Sequence, residues 1–320
     1  MHFIDSDATR LALPFDRLIP AVRERFAGGC EAPARHVHEI ANPLADASAD
    51  AHGRKMTSLI MPAWIPGRYY GVKIINIAPG NARSALPGLH ASYLLFDART
   101  GVPLAQIDGD QLTARRTAAT SALAGSFLAR EDASHLLVVG AGRIADLLPE
   151  AWGAVRSIRT VSLWARRSDA AEATARRWRE RGWNVQVVTD LAEACGTADI
   201  VSCATLATEP VVRGEWLRPG THLDLIGSFT PAMREADDAC FVGARVFVDT
   251  DEALKKSGDL LHPMAAGVLH ADDLKGTLTT LCKGVATGRR SDQERTVFKS
   301  VGHALEDLAA AILVHEATTG

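Results

Sequence analysis

The sequence predicts an α/β fold in which a doubly wound parallel-sheet domain is inserted in a second, α+β domain. Three observations predict it. The apolar run His135-Leu136-Leu137-Val138-Val139 breaks at once into Gly140-Ala141-Gly142-Arg143-Ile144-Ala145. After it, β-like runs at 158–164, 184–188 and 200–203 alternate with helix-compatible segments such as 168–181, at the spacing of a parallel sheet. The first hundred residues and the end of the chain follow other patterns, so the parallel unit sits inside them.

The glycine segment has the Gly-x-Gly-x-x-Ala form that opens a Rossmann-type dinucleotide-binding βαβ unit. Gly140 permits a tight turn after the strand, Gly142 lets backbone approach a pyrophosphate, and Ala145 is small enough for close helix–strand packing. Arg143 and Ile144 fall in the turn, where a helix N-terminus favours an anion. At the end of the second strand, where an acidic residue would bind the ribose 2′-hydroxyl of NAD, the chain has Trp164-Ala165-Arg166-Arg167-Ser168. Two guanidiniums and a hydroxyl suit a 2′-phosphate, and NADPH is expected over a weaker NADH.

In the first hundred residues, Leu18, Ile19, Val22 and Phe26 recur at helical spacing, so 14–26 reads as an amphipathic helix. Short β-like runs follow at 35–40, 57–62, 71–77, 91–97 and 103–108, an antiparallel or mixed sheet, with 41–53 as a loop. A helix over 111–128 leads into the glycine motif. At the other end, 303–315 is helical, with Leu305, Leu308, Ala309 and Ile312 on one face.

Composition narrows the function classes. The 320 residues suffice for two domains, and 47% apolar with 23% charged residues is the balance of a globular protein. A net charge of -3 gives no basic field for nucleic acid. No apolar run approaches the ~20 residues that span a bilayer, and residues 1–7 lack the basic start and apolar core of a signal peptide, so the expected location is the cytoplasm. Five scattered cysteines suggest neither a disulfide framework nor a metal site, and His36 and His38, alternating on one strand face, read as surface residues; no metal is expected.

Over nearly its whole length the chain resembles the ornithine cyclodeaminase and mu-crystallin family. The matching blocks run in order: Met61-Pro62-Ala63, Gly71-Val72-Lys73, Asp108-Gly109, Arg116-Thr117-Ala118-Ala119 and Gly140-Ala141-Gly142, then 204–210, Ser257-Gly258-Asp259 and 296–302. The resemblance implies residues 1–115 plus 298–320 as a substrate-binding and dimerisation domain, 116–297 as the NAD(P)-binding domain, and a homodimer. It also implies that Arg35, Lys73 and Arg116 hold the carboxylate of an amino or imino acid, with Lys73 and Arg116 as the catalytic pair and Met61 beside them. Bidentate guanidinium contacts orient a small carboxylate, and orientation is most of what hydride transfer needs. By the same likeness Thr205, Leu206, Val297, Lys299 and Ser300 lie along the cofactor.

One departure selects within the family. Cyclodeaminases carry an aspartate where this chain has Phe229 in Gly227-Ser228-Phe229-Thr230-Pro231, and a phenyl ring moves no proton. The segment resembles instead the branch that reduces Δ1-pyrroline-2-carboxylate and Δ1-piperideine-2-carboxylate, where Phe229 would wall the ring and Thr230 would bond near the imine. An NADPH-dependent cyclic ketimine reductase, giving L-proline and L-pipecolate, is therefore the expected activity. Ornithine cyclodeamination, an alanine or other amino acid dehydrogenase, and a mu-crystallin-type NADPH-dependent binding protein are the alternatives.

Overall fold

The computed structural model describes residues 1–41, 55–78, 80–81 and 86–319. The chain divides into two compact units, Met1–Ala21 with Gly28–Arg116 and Ala304–Gly320, and Val22–Ala27 with Thr117–His303. The boundary near the C-terminus falls at 303/304 because Phe298 and Lys299 are strand residues of the second unit's sheet.

The first unit is built on a six-stranded sheet. In chain order come β1 (His2–Ile4), α1 (Ser6–Ala12), α2 (Phe15–Gly28), β2 (His36–Ala41), β3 (Lys55–Ile65), β4 (Tyr69–Ile77), β5 (Leu89–Asp97) and β6 (Pro103–Asp108). The sheet order is β1-β6-β5-β4-β3-β2, antiparallel except for β1 beside β6. The loop expected over 41–53 lies, from 42 on, outside the described residues. β1 and α1 carry no periodic signal because they are too short; the side chain of Asp5 caps α1 by accepting from the Ala8 N–H at 2.9 Å.

Period-two alternation gives this sheet two different faces. Met61, Ala63, Gly71, Lys73, Ile75, Tyr93 and Leu95 point to the buried face. The other face carries Ile60, Trp64, Tyr70, Val72 and Phe96, with the Tyr70 and Phe96 rings stacked at 5.5 Å and Trp64 edge-on to Tyr70 at 6.4 Å.

α3 (Gly109–Leu128) follows the sheet, its first eight residues in the first unit and the rest in the second. The second unit then runs β7 (His135–Val139), α4 (Leu148–Gly153), β8 (Thr160–Trp164), α5 (Ser168–Glu180), β9 (Val185–Val187), α6 (Leu191–Thr197), β10 (Ile200–Cys203), β11 (His222–Leu225), β12 (Arg245–Val248), α7 (Ala253–Lys256), α8 (Gly258–Ala265), β13 (Gly276–Thr277), α9 (Leu278–Cys282) and β14 (Thr296–Lys299). Its eight parallel strands lie in the order β13-β12-β14-β11-β10-β7-β8-β9. The run β9-β8-β7-β10-β11 is the doubly wound order, and its direction reverses between β7 and β10. Ligands of such sheets bind outside the carboxyl ends of the strands at that reversal.

Two local features differ from the sequence expectation. The glycine motif does not pass into a long helix: a single 3-10 turn over Ala145–Leu147 precedes the six-residue α4. Pro149 restarts the helix there, since it has no N–H for the preceding turn, and Gly153 packs so closely that a Cβ would lie 2.6 Å from the Trp183 ring. Strand β11 also escaped the pattern, because His222 and Asp224 interrupt its apolar run although all four residues are buried.

The chain closes with α10 (Ala304–Thr319) in the first unit, packed against β3, β4, β5 and β6. It is buried continuously from Ala304 to Val314, and two of those residues are the acids Glu306 and Asp307.

Candidate active site

The strand register of the first unit assembles one candidate site. Met61 pairs with Lys73, Lys73 with Tyr93 and Tyr93 with Ile107, so these residues form one row across the buried face of β3, β4, β5 and β6. Arg35, half-buried, precedes the His36–Ile60 pair and so stands level with Met61 at the end of the row.

α10 supplies the counter-charge. The Lys73 Nζ donates to Asp307 Oδ1 at 2.6 Å, and the Arg116 Nε donates to the same oxygen at 2.8 Å. A second guanidinium nitrogen of Arg116 meets Glu306 Oε2 at 2.6 Å. Lys73, Glu306 and Asp307 are all fully buried. Burial, and then the charge of Arg116, bring the Lys73 ammonium down to about 8, against the pull of Asp307 and Glu306. Burial works against the charge of Asp307 too, but Arg116 and Lys73 outweigh it and hold the carboxyl below its ordinary range. The lysine is thus a poised acid beside a fixed carboxylate.

The neighbouring arginine is employed elsewhere. Arg115 donates from Nε to the Leu13 carbonyl at 2.6 Å, and its guanidinium lies 4.4 Å from the centre of the Phe15 ring. Arg116, by contrast, pairs with Glu306 and Asp307.

A separate candidate site lies in the other unit. Gly140 has φ +123°, and a Cβ there would come within 2.5 Å of the Ala204 carbonyl, so only glycine lets the ends of β7 and β10 approach. Gly142 faces open space, with nothing within 4 Å of an added Cβ. A cavity of about 830 Å³ runs from this turn past Arg166 and Arg167 and along Thr205 and Leu206. A glycine turn at the sheet's reversal, a basic end at β8 and a long adjoining cavity fit a dinucleotide.

Buried carboxylates tie three loops of this unit, among them the Thr205 loop that lines the cavity. Glu235 accepts from the Thr205 N–H at 2.7 Å, the Thr205 hydroxyl at 2.8 Å and the Gly227 N–H at 2.6 Å. Asp249 accepts from the N–H groups of Val301 and Gly302 at 2.7 and 2.8 Å. The loops after β10, β11 and β14 are each tied by such contacts.

The other sequence-selected residues are placed as follows. Gly140, Gly142, Arg166, Arg167, Thr205 and Leu206 line the cavity; Arg143, Ile144 and Ser168 adjoin its turns without lining it. Val297 packs into the apolar core and the Lys299 ammonium lies 3.4 Å from Asp259 in the interior, so neither side chain faces outward; Ser300 is buried at the end of β14. Phe229 is exposed and Thr230 half-buried on the loop after β11. Tyr93, Glu306 and Asp307 were not selected from the sequence. A pair of acids inside an alanine- and leucine-rich helix was the available signal for two of them.

Comparison with known proteins gives the chain its family. The ornithine cyclodeaminase/mu-crystallin family matches residues 33–320. The chain is 42% identical over 266 residues to a Delta(1)-pyrroline-2-carboxylate reductase of Paracoccus denitrificans, over 82% of this chain and 84% of the relative. Its fold is similar to that of the Thermococcus litoralis Delta(1)-pyrroline-2-carboxylate reductase, solved in complex with NADH and L-proline, with TM-score 0.91 and 31% identity over 99% of this chain and 97% of the other. It is similar as well to an archaeal alanine dehydrogenase dimer with bound NAD, with TM-score 0.89 and 30% identity over 99% and 96%. With a match that spans nine-tenths of its residues, the chain belongs to the ornithine cyclodeaminase/mu-crystallin family.

Proposed function

We propose that the protein is a cyclic ketimine reductase that converts Δ1-pyrroline-2-carboxylate to L-proline and Δ1-piperideine-2-carboxylate to L-pipecolate, with NADPH preferred to NADH. The observation that carries this reading is the meeting of Lys73 and Arg116 at Asp307, in a chain whose structural relative holds NADH and L-proline. The residues around the cavity of the second unit, Gly140, Gly142, Arg166 and Arg167, would hold a nicotinamide dinucleotide, which would supply hydride for the C=N carbon. Arg35, Lys73 and Arg116 orient the substrate carboxylate; the imine nitrogen enters protonated, with Lys73 able to restore that proton, so the C=N electron pair moves onto an N–H as hydride arrives. With its ammonium near 8, Lys73 is charged at neutral pH and still releases a proton more readily than an ordinary lysine.

The first unit serves as the substrate domain and the second as the nucleotide domain. The NADPH preference rests on Arg166 and Arg167, which border the cavity with no carboxylate between them and the end of β8. Phe229 in place of an acid disfavours cyclodeamination. The half-buried apolar sheet face around Trp64, Tyr70 and Phe96 supports a homodimer formed through the first unit.

NADPH absorbance, followed with each imine and in separate cuvettes with pyruvate plus ammonium and with L-ornithine plus NAD, tests the assignment. Rapid oxidation with the imines alone is expected. Turnover only with pyruvate and ammonium would make the protein an amino acid dehydrogenase, and proline from ornithine would make it a cyclodeaminase.

A further inference from the structure

The buried face of the first sheet leaves three polar atoms unmatched. Tyr93 Oη, Asp307 Oδ2 and Glu306 Oε1 are shielded from solvent and make no hydrogen bond among the described residues. Each such orphan costs about 1–3 kcal/mol, more where it is charged, so three in one cluster mark a place for a polar guest. Tyr93 stands across from Lys73 in the row, and its hydroxyl lies over Gly71, where a Cβ would come within 2.1 Å of it. The strand thus keeps a glycine where the tyrosine hydroxyl needs room.

The fully enclosed charges of the cluster sum to zero, with Arg35 half-buried at its edge. Lys73 and Arg116 are paired with Asp307 and Glu306, two cations against two carboxylates. A guest that carries one charge of each sign leaves that balance intact. A simple anion of the same shape adds an uncompensated charge to a buried site.

We propose that Asp307 Oδ2 accepts the ring N–H of a cyclic imino acid while Tyr93 Oη donates to its carboxylate, so that the site selects zwitterions over anions of equal shape. The proposal rests on the reductase reading and adds to it two residues and a rule of selection. Asp307 divides its two oxygens: Oδ1 holds Lys73 and Arg116, and Oδ2 meets the nitrogen. A 2-oxo acid, or a ring with oxygen in place of nitrogen, presents no donor to Oδ2 and brings a net negative charge.

The test compares L-proline with tetrahydrofuran-2-carboxylate as inhibitors of imine reduction, in the wild type, Asp307→Asn and Tyr93→Phe, with NADPH binding followed by fluorescence in each. In the wild type, proline should inhibit at least about tenfold more strongly, the worth of one charge-assisted hydrogen bond. Asp307→Asn should reverse the order, because the carboxamide donates to a ring oxygen and leaves the cluster one positive charge in excess. Tyr93→Phe should weaken both ligands together, about tenfold, with NADPH binding unchanged. Equal inhibition by the two ligands in the wild type, or a Tyr93→Phe variant that binds both as before, overturns the proposal. If Asp307→Asn does not fold, the wild type and Tyr93→Phe still decide. Should the wild type oxidise no NADPH with either imine, the reductase reading fails, and calorimetric titration of the two ligands still tests the preference for zwitterions.

Discussion

The first unit holds its functional side chains by charge, across 234 residues between Lys73 and Asp307 and 190 between Arg116 and Glu306. The second unit shapes its cavity by backbone: a glycine turn, and a loop after β10 whose Thr205 N–H is received by Glu235. The contrast matches two tasks. Orienting a small carboxylate calls for a few directed cations, and a cation buried without a partner would lose its charge. Holding a long polyanion calls for many N–H groups and for room, which glycines and tied loops give.

The largest expected effect breaks the charged region. Arg116→Ala removes one of two cations from Glu306 and Asp307, and should lower kcat/KM by about 10²–10⁴-fold through lost orientation. Leaving buried carboxylates short of a partner should also cost about 3–5 kcal/mol of stability. Arg115→Ala is the control next door: its guanidinium serves Leu13 and Phe15, so stability should fall while the folded enzyme keeps its kcat/KM. Steady-state kinetics and thermal melts on both variants decide it, and equal losses of kcat/KM would remove Arg116 from the clamp.

A second prediction sharpens the comparison through two buried aspartates with opposite surroundings. Asp307 faces two cations and is held low; Asp224, at the centre of the second sheet, receives among the described residues the hydroxyls of Ser202 at 2.6 Å and Ser121 at 3.0 Å. Burial outweighs those hydroxyls and pushes the Asp224 carboxyl up to about 7. Its folded value lies above its unfolded one, so the folded state binds the extra proton between about pH 4 and pH 7. The stability it contributes is complete below about pH 4 and is lost as pH rises through 7. About 1.4 kcal/mol per unit sets the scale, a few kcal/mol in all. Asp224→Asn should flatten this slope in urea melts taken from pH 4.5 to 8, and a slope unchanged from wild type would assign the pH dependence elsewhere.

The contrast between the units also explains what was legible in the sequence. The glycine motif, the four strands around it and Arg166 with Arg167 are contiguous signals, and local spacing suffices to read them. Lys73 was singled out by the family resemblance, and its place in the apolar run of 71–77 marked it as a strand lysine in need of a partner. Its partners were not readable that way, because strand register and the return of α10 decide that Asp307 meets Lys73, and neither is local. β11 hid behind His222 and Asp224, polar residues whose burial becomes possible only once Thr296, Ser202 and Ser121 stand beside them. Val297 and Lys299 show the converse: the segment was located, but the direction of its side chains follows from the pleat of a strand buried on both faces.

The smallest expected effect concerns two cationic side chains at the cavity of the backbone-built region. Arg166 and Arg167 border the cavity at the end of β8, where a 2′-phosphate would be read, and neither is needed for the glycine turn or the tied loops. Replacing both with alanine should weaken NADPH by about 10–100-fold, the worth of one or two charge-assisted contacts on a partly solvated anion, and change NADH by less than about threefold. Fluorescence titration with each nucleotide at fixed ionic strength measures the ratio. Raising the salt should shrink the NADPH advantage of the wild type toward that of the double variant, because exposed guanidiniums act through a screened field, whereas the glycine-built cradle is indifferent to salt. Parallel losses for NADPH and NADH would instead mean that the two arginines shape the loop rather than read the phosphate, and the second unit would then hold its ligand by backbone alone.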